Sequence, residues 1–279
     1  MTKTPDGNCD VCVVGGAGHV GVALALVLAD SGFKTLILDI NKAALETIAA
    51  GHLPFFEEGG EALLEKVLAG GGLAFSSDAK SVAQATFVVV TIGTPIDEFH
   101  NPEVSNLTRC FDELMPYLRD DQTIILRSTV APGTTTYVDN YLRRHGKKAR
   151  LAFCPERVVQ GKGVQEIRAL PQLISGTSPE AVAAAKKLFG EIALEVVEML
   201  PLEAEFAKLV CNAFRYIQFA ATNQLYMMVE AAGLNYVDLL AKIHDARRAD
   251  EHAGRRRLKP GQGRATAPSR DPGACRDRM

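Results

Sequence analysis

A doubly wound α/β fold, a parallel Rossmann-type sheet followed by one long helix, is what this 279-residue chain predicts. Three observations carry that reading. Short Val/Ile-rich runs alternate with amphipathic helical stretches, as in a sheet covered on both faces. A glycine motif stands between the first apolar run and the first helix. A long helical pattern, from Glu203 to about Ala232, then follows the last apolar run.

The apolar runs place strands at Asp10–Val14, Thr35–Asp39, Leu73–Phe75, Thr86–Ile92, Thr123–Arg127, Arg150–Phe153, Leu173–Ser175 and Leu194–Glu198. Between them the periodicity predicts helices over His19–Ser31, Lys42–Ala50, Ser105–Leu118, Thr134–Arg144 and Pro179–Ile192. After the long helix, Asn235–His244 reads as a short helix with Asn as its cap. The apolar sides of the long helix suit packing against a partner domain or subunit, or an ordinary core position. The expected organisation is a dinucleotide-binding domain over 1–200, a central helical segment over 201–245 and a basic tail over 246–279.

Apolar residues make up 47% of the chain, enough to bury a full core. The apolar runs, Val11 to Val14 and Phe87 to Ile92 among them, are strand-length and too short to span a membrane. The opening Met-Thr-Lys-Thr-Pro-Asp lacks the apolar core of a signal peptide, so a cytoplasmic protein is expected. Six cysteines give neither a zinc site nor a disulfide framework, and no metal is expected. Cys9 and Cys12 form a CxxC within the first strand, where alternation sends their side chains to opposite faces, so both read as buried structural thiols.

From Ala246 onward the character changes, with ten Lys or Arg against four acids and a single Leu as the only large aliphatic residue. Such a segment buries too little apolar surface to order itself. No recognition module or interleaved aromatic accompanies it, so nucleic acid is not an expected partner. Its Arg/Ala/Pro/Gly bias is also what an out-of-frame reading of GC-rich DNA produces, and that origin is the favoured one.

Gly16-Ala-Gly18-His19-Val20-Gly21 follows a strand and opens a helix, the context that makes a GxGxxG match informative. The first glycine permits the turn, the second lets the backbone approach a pyrophosphate, and the third lets helix and strand pack. The helix N-terminus then faces the phosphates, with His19 and Val20 in its first turn. Asp39 ends the second strand, where a carboxylate accepts ribose hydroxyls and repels a 2′-phosphate. The expected cofactor is therefore NAD rather than NADP. Thr91-Ile-Gly93-Thr94-Pro95 and Arg127-Ser128-Thr129-Val-Ala-Pro132-Gly133-Thr134 lie at carboxyl strand ends, the ligand-binding edge of such sheets, although Thr/Gly/Pro clusters are also ordinary loop chemistry. On the long helix, Lys208, Asn212, Arg215 and Asn223 share one stripe, which suits an anion or a developing oxyanion.

Several blocks in order resemble one family, the nucleotide-sugar 6-dehydrogenases that act on UDP-glucose or UDP-N-acetylmannosamine. The blocks are the glycine motif with Asp39, Gly51-His-Leu-Pro54-Phe-Phe-Glu57-Glu-Gly59, Gly93-Thr94-Pro95, Ser128-Thr129-Val-Ala-Pro132-Gly133-Thr134, Pro155-Glu156-Arg157-Val with Gly161-Lys162, and Ala204-Glu205 through Lys208 to Asn212. The resemblance spans about residues 10–244 and implies oxidation of the C6 hydroxyl of a UDP-sugar to the uronate by successive hydride transfers to NAD, feeding polysaccharide synthesis. It places Thr129 and Lys208 by the reacting oxygen, with Lys208 and Asn212 as oxyanion donors. It gives Glu156 the activation of water, a role that residue-level reading leaves open against simple capping. Thr94 and Glu57 fall on the cofactor side, and Arg157 faces the sugar nucleotide. Members of the family are dimers.

The chain departs from the family in two places. Gln160 stands where the UDP-glucose branch has a second carboxylate, and Leu170-Pro-Gln looks closer to the N-acetylhexosamine branch. The family's nucleophilic cysteine loop should fall near 260–265, where Lys259-Pro-Gly-Gln-Gly-Arg has no cysteine, and the second, UDP-binding domain is missing. Cys275 comes too late, and Cys154 is the other thiol near a strand end. These departures imply a truncated or frame-shifted chain that is impaired in turnover, or an inactive NAD-binding fragment. A β-hydroxyacid dehydrogenase, which also pairs a glycine motif with a helix-borne Lys and Asn, is a further alternative disfavoured by the 51–59 and 155–156 blocks.

Overall fold

The computed structural model describes residues 9–94, 98 and 104–257, the side chains of 247–257 excepted. Its eight strands are β1 (Cys9–Val14), β2 (Thr35–Leu38), β3 (Leu73–Ser76), β4 (Ala85–Val90), β5 (Thr123–Leu126), β6 (Arg150–Phe153), β7 (Gln172–Gly176) and β8 (Val196–Glu198). They form one sheet in the order β3-β2-β1-β4-β5-β6-β7-β8. Neighbours are parallel except β6 and β7, which run antiparallel. The order reverses between β1 and β4, and the doubly wound expectation holds, each strand falling within two residues of its place in the sequence reading.

Strands β2 and β5 are buried at every position, which is why they read as unbroken apolar runs rather than alternating ones. One face of the sheet is covered by α1 (His19–Asp30), α3 (Gly60–Ala69), α6 (Gly163–Ala169) and α7 (Pro179–Gly190), the other by α4 (Ser105–Leu114) and α5 (Thr134–Arg144). Helix α1 buries all of Gly21–Leu28, so it packs as a core helix with little amphipathic contrast. Side chains cap the starts of α2 (Lys42–Ala49) and α7. Asn41 accepts the Ala44 amide at 3.1 Å ahead of α2, and Ser178 accepts that of Ala181 at 3.2 Å ahead of α7.

Three elements are additions to the sequence reading: α3, α6 and a 3-10 turn over Ala79–Gln84. Helices α3 and α6 begin at glycines that read as loop. A Cβ at Gly60 would stand 2.6 Å from Leu53 Cδ1, and one at Gly163 would stand 2.8 Å from Ala23 Cβ. Close packing therefore selects those glycines.

Cys9 and Cys12 correct an expectation. Both side chains join the same apolar cluster, with Val14, Leu36 and Val88, instead of facing opposite ways. The amides of Asp10 and Val11 both donate to the Lys34 carbonyl, at 2.9 and 3.2 Å, as at a bulge, and a bulge resets the alternation.

The long helix α8 (Pro201–Ala231) and α9 (Tyr236–Arg257) complete the fold. The chain divides into two compact units within α8: Met1–Phe214 and Arg215–Met279. In the first unit, only Ala204 and Glu205 of α8 are buried, while Phe206, Val210 and Phe214 are exposed. Those residues do not make α8 a core helix. In the second unit the chain turns at Gly233 (φ 74°), the Tyr226 and Tyr236 rings meet edge-on at 5.7 Å, and Asn235 caps α9 by accepting the Asp238 amide at 3.0 Å.

Helix α9 extends well past His244, and residues 246–257 are helical where a disordered tail was expected. Ala, Arg and Glu are strong helix formers, and a nucleated helix propagates through them without a buried face. Residues 258–279, with Lys259–Arg264 and Cys275, lie outside the described residues. Among the described residues no helix is long and apolar enough to cross a membrane.

Candidate cofactor site

A cleft of about 500 Å³ opens at the carboxyl ends of β1 and β4, where the strand order reverses. This is where open α/β sheets hold ligands. Its walls include Gly15, Gly18, Asp39, Thr91, Gly93 and, from α4, Arg109.

The glycine loop is built by close approach. Gly15, ahead of the motif, has φ 73° and makes the turn that the sequence reading gave to Gly16. A Cβ on Gly16 would stand 2.6 Å from the Val13 carbonyl oxygen, and one on Gly21 would stand 2.6 Å from Gly16 Cα. Gly18 differs: a Cβ there would meet only the Gly15 carbonyl oxygen, at 3.5 Å. The fold therefore leaves the space in front of Gly18 open. Helix α1 begins directly behind it with no side-chain cap and no acidic residue in its first turn. Open backbone and uncapped amides at a helix N-terminus fit the pyrophosphate of a dinucleotide.

Asp39 ties the second strand to this loop. One carboxylate oxygen accepts the Ala17 amide at 3.0 Å and the other the Asn41 amide at 2.9 Å, and each keeps a further acceptor position for a ribose hydroxyl. The Thr91 hydroxyl donates to the Val14 and Gly15 carbonyls at 2.9 and 3.1 Å, closing the loop from β4. His19 is engaged elsewhere: its ring stacks on Phe55 with centroids 3.8 Å apart. Val20 and His19 line a second, smaller hollow of about 160 Å³ with Glu57 and Gly161. Buried Glu57 accepts the Val164 amide at 2.8 Å, and the Glu58 amide donates to Gly161 at 2.9 Å. The 51–59 block and the 161–162 block, far apart in sequence, are therefore one structure.

The loops after β4 and β5 are joined directly. The Thr94 hydroxyl donates to the Thr129 carbonyl, and the Ser128 hydroxyl donates to the Ile92 carbonyl at 2.6 Å. Pro95 lies outside the described residues. Behind this junction, Arg127, 1% exposed, forms an ion pair with buried Glu156. Arg127 also donates to Gln172 Oε1 at 2.9 Å and to the Cys154 carbonyl at 3.2 Å, and lies 5.0 Å from the Phe189 ring centroid. The other oxygen of Glu156 accepts the Arg157 and Val158 amides at 2.7 and 2.9 Å. Glu156 thus caps the next turn while paired to Arg127.

On α8, Glu205 reaches the start of α5, where Gly133 (φ 90°) precedes the first helical residue without a side-chain cap of its own. Lys208 follows Glu205 by about one turn and is half-buried, whereas Asn212 is exposed. The proposed anion stripe is split between the two units: Lys208 and Asn212 belong to the first, and Arg215 and exposed Asn223 to the second. Burial beside amides, the premise of that stripe, does not extend along it.

Among the described thiols, Cys154 is fully buried, and burial pushes it up to about 12. Burial raises Cys9 to about 11 and Cys110 to about 12, while Cys211 is exposed. A thiol held that high is not a nucleophile at neutral pH, so Cys154 does not replace the expected cysteine. Sequence reading missed Asn106, Arg109 and Glu113 as cleft walls. They lie on an ordinary amphipathic helix, and only the topology brings them opposite Asp39.

Residues 9–193 match the UDP-glucose/GDP-mannose dehydrogenase family, NAD binding domain. The chain belongs to this family. A UDP-N-acetyl-D-mannosamine dehydrogenase of Methanococcus aeolicus is 28% identical over 260 residues, 91% of this chain and 57% of the relative. The Escherichia coli K12 enzyme of the same name is 27% identical, over 89% of this chain and 60% of the relative. Among solved structures, the UDP-D-ManNAc dehydrogenase of Pyrococcus horikoshii superposes with a TM-score of 0.76 at 25% identity, over 84% of this chain and 58% of that one. Cap5O, a UDP-N-acetyl-mannosamine dehydrogenase of Staphylococcus aureus, gives 0.70 at 26% identity over 91% and 60%. The chain spans just under three fifths of the length of the first relatives it matches. The part that the family model matches is the NAD-binding domain, and the cleft at Gly18 and Asp39 lies within it.

Proposed function

We propose that this chain is the cofactor-binding part of a nucleotide-sugar 6-dehydrogenase, taking NAD in preference to NADP and serving oxidation of the C6 hydroxyl of a UDP-N-acetylhexosamine or UDP-glucose. The observation that carries the cofactor reading is the pairing of open backbone at Gly18 with the carboxylate of Asp39 in one cleft. The sugar follows from the names of the relatives, which favour UDP-N-acetylmannosamine, and from Gln160 in place of a second carboxylate.

Bound NAD supplies a hydride acceptor. Gly16, Gly18 and Gly21 shape the pyrophosphate seat, His19 and Val20 contribute backbone at the helix start, and Gly93 and Thr94 line the path toward the reacting end. Thr129, fixed through its carbonyl by Thr94, stands with Lys208 for the reacting oxygen, and Lys208 and Asn212 donate to the oxyanion as charge develops. In the arrangement described, both oxygens of Glu156 are engaged. It activates water only after a bond to Arg127 or to the turn amides opens. The setting is cytoplasmic.

One observation favours a second reading of the chain assayed alone, as an NAD-binding module without turnover. Among the described thiols Cys9, Cys12 and Cys154 are buried, and the exposed one, Cys211, sits on α8 rather than in a strand-end loop. Calorimetry of NAD with wild type and Lys208→Ala tests the assignment. Equal affinities are expected, because the lysine serves the substrate oxygen, and a large loss in the variant would contradict that role.

A further inference from the structure

Glu205 is 1% exposed and stands on α8, yet its carboxylate is hydrogen-bonded to the start of α5. Its Oε2 accepts the Gly133 amide at 2.6 Å, and its Oε1 accepts the Thr135 amide at 2.7 Å and the Thr135 hydroxyl at 2.6 Å. A buried carboxylate is costly to desolvate unless donors meet it, and here three donors and a helix N-terminus do so together. Helix α5 has no local alternative, since its N-cap position is Gly133. The bonds also run the other way. Of the part of α8 that belongs to the first unit, only Ala204 and Glu205 are buried, so this carboxylate is a buried polar attachment of that segment.

From these contacts we infer that Glu205 is a positioning residue, whose carboxylate fixes the Ser128–Gly133 loop and the first turns of α8 in register with each other. The inference rests on the proposed function, because the loop carries Thr129 and α8 carries Lys208 one turn beyond Glu205. The far side of the loop is held by Thr94 and Ser128, so the loop is pinned at both ends, and Glu205 is the pin that α8 supplies. Gln at this position keeps the acceptor for Thr135 but turns an amide N–H₂ toward the Gly133 N–H, so it restores half of the contact.

The test uses the full chain with Glu205→Ala, Glu205→Gln and the milder Thr135→Val. Amide exchange is followed by mass spectrometry, and NADH binding by the emission of the reduced nicotinamide, with AMP as a probe of the adenosine end alone. In Glu205→Ala, exchange over 128–135 should rise at least tenfold while β1, β4 and β5 stay protected. The nicotinamide emission should change while AMP affinity holds within twofold, and Glu205→Gln should fall between wild type and the alanine variant. Exchange over 128–132 unchanged in Glu205→Ala would overturn the inference, and so would a uniform rise across all strands, which is the mark of general destabilisation. Thr135→Val, which removes one donor, should raise exchange at 133–135 in a folded protein, and no rise there would also overturn it. A wild-type chain that bound neither NADH nor AMP would contradict the proposed function, while the exchange result would still decide the role of Glu205.

Discussion

Asp39, at the end of the second strand, accepts the amide of Ala17 inside the glycine loop at 3.0 Å. In the proposed function, the residue that selects the ribose therefore also holds the loop that receives the pyrophosphate. Replacing Asp39 by Asn keeps an acceptor for Ala17 but removes the charge, and hydrogen bonds to charged groups contribute about 1.5–3 kcal/mol. Asp39→Asn should weaken NAD by about tenfold or more and narrow the preference over NADP, as read by titration with both cofactors.

The two outer glycines and the middle one should separate in experiment. Gly21→Ala places a Cβ 2.6 Å from Gly16 Cα, a backbone clash that no side-chain movement relieves. It should lower the thermal midpoint by several degrees, consistent with about 1–3 kcal/mol of overpacking. Gly18→Ala meets only an oxygen at 3.5 Å, so its midpoint should hold while NAD affinity falls. Scanning calorimetry with and without NAD distinguishes the two.

The Arg127–Glu156 pair should behave as a buried couple. Removing one partner leaves an uncompensated buried charge, at a cost of about 3–5 kcal/mol, whereas apolar replacement of both partners is often much milder. Arg127→Met should therefore destabilise more than Arg127→Met with Glu156→Leu, in urea unfolding of each variant.

Burial lifts Cys9 to about 11, and Cys110 and Cys154 to about 12, from an ordinary value of 9.0. As pH rises from about 9 toward 12, the unfolded chain releases thiol protons that the folded chain keeps. Stability should therefore fall through that window, and substitution of Cys154 by Ala should flatten part of the fall. At pH 8, in a Cys275→Ser background, a thiol reagent should label exposed Cys211 readily and buried Cys9, Cys12 and Cys154 only on unfolding. Rapid labelling of Cys154 in the folded chain would contradict its placement.

The sheet was legible because fully buried parallel strands leave unbroken Val/Ile runs such as Phe87–Val90, short enough to read as strands beside the longer apolar run of α1. The cofactor loop was legible because Gly16, Gly18 and Gly21 stand between a strand and a helix. Helices α3 and α6 were hidden because their starts are stabilised by tertiary contacts, including Glu57 on Val164, and because close packing selects glycines at Gly60 and Gly163. The length of α9 was misjudged by weighing apolar burial over intrinsic helix propensity. Glu205 and Arg109 show a more general limit. Their partners lie across the fold, at Thr135 for the first and opposite Asp39 for the second, and no local spacing announces such a pairing.

The central claim is that the cleft between Gly18 and Asp39 binds NAD. Calorimetric titration of the purified chain with NAD and with NADP tests it most directly. The account predicts one site for NAD, with NADP at least tenfold weaker. No binding of NAD, or an equal preference for NADP, would contradict it.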